Sequence, residues 1–259
     1  MCILFLAINQ HPEFPLVIAA NRDEYHDRPS STMHYWPDHP RILAGRDQRK
    51  GGTWLGINQS GKFCAVTNFR TVENIDPDAL SRGELVKMYL DGTYQRPGGD
   101  LNFHQFLVEQ GENYGPFNLV FGDIGNLHVY CNQNNILTRL GDGFHSLSNG
   151  FIDQHWPKMS LGVKKLSSLI SQSGPIEIDT LNQIMHDQTL ANEDDLPDTG
   201  VSKQVERYIS SIFIQGEQYG TRTTSYIIYS PGLIQAHELN YSSSGSITDQ
   251  QSFTIEISW

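Results

Sequence analysis

Cys2 is the position where chemistry is most simply assembled in this chain, because removing Met1 would leave a thiol and a free α-amine on one residue. An α-amine with a pKa of about 7.7–8.0 is partly neutral near physiological pH, so it can take the thiol proton directly or through one water. While Met1 stays attached, that nitrogen is an amide with no basic lone pair. The plain reading is packing: Cys2 opens the apolar run Cys2-Ile3-Leu4-Phe5-Leu6-Ala7-Ile8, and a buried strand cysteine is usually inert.

Asn21-Arg22-Asp23-Glu24 closes the next apolar run with four consecutive hydrogen-bonding side chains. Strand side chains alternate, so Asn21 and Asp23 are expected on one face and Arg22 and Glu24 on the other unless a bulge intervenes. The Arg22 donor fork suits a thiolate or a ligand carboxylate, and Asp23 could hold the Cys2 amine. The bland alternative is a polar loop with a local ion pair. Asn68 and Asn149 each close a predicted strand, where a carboxamide can point at a developing oxyanion; such a donor is typically worth about 2.7–4 kcal/mol in a transition state. Either asparagine is by itself an ordinary turn residue. Arg222, in Tyr219-Gly220-Thr221-Arg222-Thr223-Thr224, is a second cation ahead of a strand.

Other clusters carry less. Lys50 precedes Gly51-Gly52 instead of leading a helix, so the glycine-rich stretch is no phosphate loop and reads as a turn that seats Trp54. The acidic stretch 192–198 lacks calcium-loop spacing. Histidines are scattered without HExxH or a close ligand pair, so no dedicated metal centre is expected, and His145, His155 and His237 are candidates only for single axial ligation of a haem.

Short apolar runs predict strands over 2–8 and 16–20, and a hairpin over 53–68 turns at Ser60-Gly61. Ser81, with Glu84 in the capping-box position, predicts a helix start, and further helices are expected near 102–110, 157–173 and 178–187. Strands are expected over 118–122, 127–131, 144–148, 223–229, 233–239 and 252–257. Strand blocks alternating with helix blocks imply mixed α and β structure with largely antiparallel sheets.

The chain of 259 residues has 38% hydrophobic and 18% charged residues and a formal net charge of −11. These values fit a folded single domain over residues 1–259 and argue against a nucleic-acid partner, because no basic cluster offsets the acidic field. Nothing approaches the roughly 20 apolar residues that span a bilayer. The cysteines Cys2, Cys64 and Cys131 are odd in number and lack CxxC spacing, which points to a reducing, cytoplasmic location.

As a set, these residues resemble the NRDE family, the transport and Golgi organization protein 2-like proteins, whose short name Asn21-Arg22-Asp23-Glu24 spells. Met1-Cys2, Arg28-Pro29, Ala44-Gly45-Arg46-Asp47, Gly51 to Gly56, Ala65-Val66-Thr67-Asn68, Ser81-Arg82-Gly83, Phe117-Asn118-Leu119, Leu147-Ser148-Asn149 and Tyr219 to Thr224 are similar too, so the resemblance covers nearly the whole chain. That family in turn resembles the N-terminal nucleophile hydrolases of the choloylglycine and penicillin V acylase type. The resemblance implies an α+β fold, a four-layer α-β-β-α sandwich of largely antiparallel sheets. It also implies Cys2 as nucleophile and base, Arg22 beside the thiolate, Asp23 on the amine, Asn68 and Asn149 as oxyanion donors and Arg222 as a supporting cation. One departure is visible: two residues separate the arginine and aspartate in the acylases, whereas Arg22 and Asp23 are adjacent, so by strand alternation both cannot face Cys2 without a bulge and the acidic role could fall to Glu24 or be missing. For the NRDE family itself the resemblance implies intracellular haem trafficking, by binding and handing over haem or a similar amphipathic metabolite. The alternative is a Cys2 amidohydrolase acting on a small amide and needing no cofactor.

Overall fold

Every residue of the amino-terminal apolar run is buried, and the run forms an interior strand. The computed structural model describes residues 2–71, 76, 78–94, 102–172 and 174–257; Met1, whose removal the Cys2 chemistry requires, and residue 173, where the third predicted helix was to end, lie outside these. In chain order the strands are β1 (Cys2–Ile8), β2 (Leu16–Tyr25), β3 (Ser30–Trp36), β4 (His39–Asp47), β5 (Leu55–Asn58), β6 (Lys62–Asn68), β7 (Phe117–Asp123), β8 (Asn126–Cys131), β9 (Ile136–Arg139), β10 (Gly143–Leu147), β11 (Tyr219–Ser230), β12 (Leu233–Tyr241) and β13 (Ile247–Glu256). The helices are α1 (Arg82–Asp91), α2 (Phe103–Gln110), α3 (Pro157–Ile170), α4 (Ile178–Met185) and α5 (Lys203–Tyr208). The fold is α+β, and all strand pairs within both sheets are antiparallel.

The chain divides into two compact units. The first comprises the described residues within Met1–Asp27, Arg70–Val72 and Gly141–Trp259, and the second those within Arg28–Phe69 and Glu73–Leu140.

The first unit is built on a six-stranded sheet ordered β10-β1-β2-β11-β12-β13. One sheet face presents Ile3, Phe5, Ala7, Val17, Ala19, Tyr226 and Ile228 to Met159, Leu166 and Ile170 of α3 and to Leu181 and Met185 of α4. Fully burying each Ile, Val, Leu, Met or Phe side chain among them stabilises by about 1.5–3 kcal/mol. Gly162 makes the contact close: a Cβ there would lie 2.0 Å from the Phe5 ring, so only glycine lets α3 sit on that ring. The opposite face carries Leu4, Leu6, Ile18 and Ala20, also buried, and ends at Cys2 and Arg22.

The second unit is a seven-stranded sheet in the order β3-β4-β5-β6-β7-β8-β9. Its core joins Trp36, Cys64, Phe117, Leu119, Phe121 and Tyr130 of the sheet to Leu85, Val86 and Tyr89 of α1 and Phe103 and Leu107 of α2. The glycine-rich turn seats on the start of α1: a Cβ on Gly52 would lie 2.5 Å from the Gly83 carbonyl carbon, and the Thr53 amide donates to Gly83 O at 3.1 Å. Close backbone approach therefore explains those glycines.

Several local expectations are corrected. Ser81 precedes α1 without a side-chain cap bond; its carbonyl takes the Glu84 amide at 2.9 Å, and the reciprocal capping box belongs to Asn102 and Gln105 of α2. Asn21-Arg22-Asp23-Glu24 lies within β2 instead of closing it, because β11 continues to pair with it through Tyr219 opposite Tyr25. Strands β3, β4 and β9 and helix α5 were not predicted. Their polar or very short sequences lack the apolar periodicity from which elements are read.

Candidate functional site

The site begins with register. In the antiparallel β1–β2 pair, Cys2 stands opposite Arg22 and Ile3 opposite Asn21. Directly opposed residues share a face, so the guanidinium lies on the side of the sulfur. Glu24 follows on that same face and accepts from Arg22 Nη2 at 3.4 Å. Arg22 is only 8% exposed, and its Nη1 has no hydrogen-bond partner among the described residues. A buried donor of this kind is available for a ligand oxygen or a developing negative charge. Burial pushes the Cys2 thiol up to about 11, with Asp23 and Glu24 acting in the same direction and Arg22 against them. The resting sulfur is therefore a thiol, and its attack requires a base.

Asp23 turns to the other face, as alternation demands. Its neighbour on that face, Asn21, is locked by Nδ2 donation to Met185 O at 2.8 Å and Ile212 O at 3.0 Å. The Asp23 carboxylate is buried and accepts from Thr221 Oγ1 at 2.7 Å. Because Thr221 Oγ1 itself accepts from the Ile214 amide at 2.9 Å, its one hydrogen is committed to Asp23. Burial raises the Asp23 pKa, opposed in part by Lys158 and Arg22. The α-amine that processing would expose on Cys2 is a main-chain group at the strand end and belongs to neither face. Adjacent residues can thus serve both functions, Arg22 from the face of the sulfur and Asp23 from the opposite face, with no bulge in β2 against β1.

The bulge lies in the neighbouring strand. Thr221 opposes Asp23 and Thr223 opposes Arg22, so Arg222 is the extra residue of β11. Arg222 is half-buried and donates through Nη1 to Tyr25 O at 3.3 Å. Burial lowers its pKa, with Arg22 adding to that effect and Glu24 opposing it.

Asn149 follows β10. Ser148 Oγ donates to Cys2 O at 3.1 Å, which ties this corner to the start of β1, and Asn149 is buried. Asn68 ends β6 in the second unit, opposite Phe117 and half-buried. His145 bonds to Asp153 and Gly141, His237 to Ser252, and His155 is exposed. Among the described residues no group of His, Cys, Asp or Glu could jointly hold a metal ion.

Four residues complete the surroundings, and three of them lie outside every motif singled out in the sequence. Lys158, on the first turn of α3 and 5% exposed, donates to Ile209 O at 3.0 Å; burial pulls its pKa down to about 8, against Asp23 and Glu206. Arg70 donates through Nη1 to Glu206 Oε2 and Thr199 Oγ1, both at 3.0 Å, and Glu206 is 3% exposed. Thr221 is the fourth. Arg70, Lys158 and Glu206 are charges that look solvated when read linearly, and only folding buries them.

A family model described as Transport and Golgi organisation 2 matches residues 1–240. The chain belongs to that family. The Transport and Golgi organization 2 homolog of Mus musculus is 31% identical, and the Transport and Golgi organization protein 2 homolog of Homo sapiens is 30% identical; each match covers 88% of this chain and 88% of the relative. Two solved structures are similar at lower identity. A mutant conjugated bile acid hydrolase from Clostridium perfringens is 12% identical with a TM-score of 0.48, over 99% of this chain and 92% of that one. A Caenorhabditis elegans N-acylethanolamine-hydrolyzing acid amidase ortholog is 9% identical with a TM-score of 0.42, over 88% of this chain and 92% of that one.

Several residues that carried the family resemblance hold the scaffold. Arg28 donates through Nε to Asp47 at 2.8 Å, fastening β3 to β4 at their ends. Arg46 grips Asp38 with two bonds of 2.7 Å while lying 4.2 Å over the Trp36 ring. The chemically suggestive members of the family pattern are the ones around Cys2.

Proposed function

We propose that this protein is an amidohydrolase whose nucleophile is the Cys2 thiol, exposed as the mature amino terminus by removal of Met1. The observation that carries this reading is the opposition of Cys2 and Arg22 across β1 and β2, with Asp23 held on the adjacent position by a committed Thr221 hydroxyl. In the reaction, the α-amine takes the thiol proton as sulfur attacks the carbonyl carbon of a small amide. Negative charge gathers on the carbonyl oxygen, where the Asn149 carboxamide supplies a donor. Collapse breaks the C–N bond, and the leaving nitrogen takes the proton from the α-ammonium. Water then adds to the thioester, giving its proton to the α-amine, and the carboxylic acid departs as the thiol reforms. Arg22 steadies the sulfur as charge grows, and Asp23 orients the amine.

The family resemblance also implies carriage of haem or an acyl metabolite, and a saturable Soret shift on titration with micromolar haem is the signature of that cargo. The opposition of Cys2 and Arg22 supports a reaction, and on it we rank hydrolysis ahead of carriage. Its test is amine release from a panel of short N-acyl amides. Protein beginning at Cys2 should release amine catalytically and Cys2→Ala should not; equal rates from both would overturn the reading.

A further inference from the structure

We propose that Arg70 is a positioning residue, which with its buried partner Glu206 sets the orientation of the Asn149 carboxamide so that its N–H donors are turned to the acyl oxygen. This inference rests on the Cys2 reaction above. Two contacts join Arg70 to Asn149: its backbone N–H donates to Asn149 O at 2.7 Å, and Nη2 donates to Asn149 Oδ1 at 3.4 Å. A guanidinium has no acceptor, so the Asn149 atom facing it must be the oxygen. Ser148 Oγ lies 3.3 Å from the same Oδ1. The two ends of a carboxamide are otherwise nearly interchangeable in shape, and the guanidinium, which can only donate, removes the ambiguity. With Oδ1 committed to Arg70, Nδ2 points the other way.

The guanidinium is in turn fixed. Nη1 reaches both Glu206 and Thr199, Glu206 Oε1 accepts from the Thr199 amide at 3.1 Å and from its hydroxyl, and the guanidinium carbon lies 5.6 Å from the centre of the Trp156 ring. The Arg70 and Glu206 side chains are only 9% and 3% exposed. Burying such an ion pair brings little or no net stability compared with apolar packing, so its presence beside Asn149 calls for another explanation. Orienting one amide within a site is such an explanation, because small misplacement of a catalytic donor has large kinetic effects. The chain layout fits as well: Arg70 belongs to a short segment grouped with the first unit between two stretches of the second.

The experiment compares two reactions of one sulfur in protein beginning at Cys2. Acylation by p-nitrophenyl acetate builds an oxyanion and needs the amide donor, whereas alkylation by iodoacetamide is a displacement that builds none. Arg70→Lys should slow the acylation burst by about tenfold to a hundredfold and leave the alkylation rate within about twofold of wild type. Glu206→Gln, which keeps shape but removes the charge, should fall between the two, and it serves as the variant should Arg70→Lys not fold. In an Asn149→Ala background, Arg70→Lys should produce no further slowing. Equal burst rates for wild type and Arg70→Lys, or full additivity with Asn149→Ala, would overturn the positioning role while leaving the Cys2 reaction standing. A wild-type protein that is alkylated at Cys2 but shows no burst would instead bring down the reaction and this inference together.

Discussion

At the scale of single residues, function turns on how neighbours in sequence divide their labour. Arg22 and Asp23 point to opposite faces of β2, and that division is what the end of β1 needs, since sulfur lies on one face and the amine at the strand terminus between them. Asp23→Asn keeps the Thr221 contact but removes the negative charge that would hold the amine; kcat should fall by about a hundredfold or more with the melting temperature little changed, as read by steady-state rates beside a thermal scan. Asn149→Ala should lower kcat by about 10²–10³, with KM nearly constant.

His145 supplies a pH-dependent contact at the same corner. Nδ1 lies 2.8 Å from Asp153 Oδ2 and Nε2 lies 2.9 Å from Gly141 O; both partners are acceptors, so the protonated ring can donate to both. The hydrogen bond to Asp153 raises its pKa above the ordinary value of about 6.5. A raised folded-state pKa contributes stability that is fully present below about pH 6.5 and is lost as pH rises through the folded value. The melting-temperature gap between wild type and His145→Gln should accordingly be widest in mild acid and close toward alkaline pH; a gap that grows with pH contradicts the assignment.

At the scale of elements, close packing explains more than propensity does. Gly162→Ala pushes a methyl group into the Phe5 ring and should destabilise by about 1–3 kcal/mol, measurable as a lower denaturant midpoint. Because Phe5 is in β1, that variant should also slow the Cys2 reaction. The strands with continuous apolar runs, β1 and the first half of β2, were legible because period and burial coincide. The second half of β2 was not, since Asn21 to Glu24 read as a polar end and extended pairing with β11 overrides that signal. The Thr221–Thr223 bulge leaves no mark in sequence, yet it decides that Thr221 and not Arg222 meets Asp23. Cys2, Arg22, Asp23 and Asn149 were legible by residue type and motif. Arg70, Lys158 and Glu206 were not, because a charge looks solvated until tertiary contacts bury it.

At the scale of the whole molecule, a formal net charge of −11 coexists with three buried cations in the first unit, Arg22, Arg70 and Lys158. The outer field should repel polyanions, so the protein should pass through a heparin column unretained at physiological ionic strength. The inner cations favour an electron-rich group near Cys2 without any need for a basic surface. Everything proposed for the reaction requires the chain to begin at Cys2, and one measurement bears on that most directly. Protein expressed from its own Met1 is incubated briefly with a short N-acyl amide, quenched in acid and examined by intact and peptide mass spectrometry. The expected species is a chain lacking Met1 that carries the acyl group as a thioester on Cys2; a retained Met1, or an acyl group found on any other residue, would contradict Cys2 catalysis.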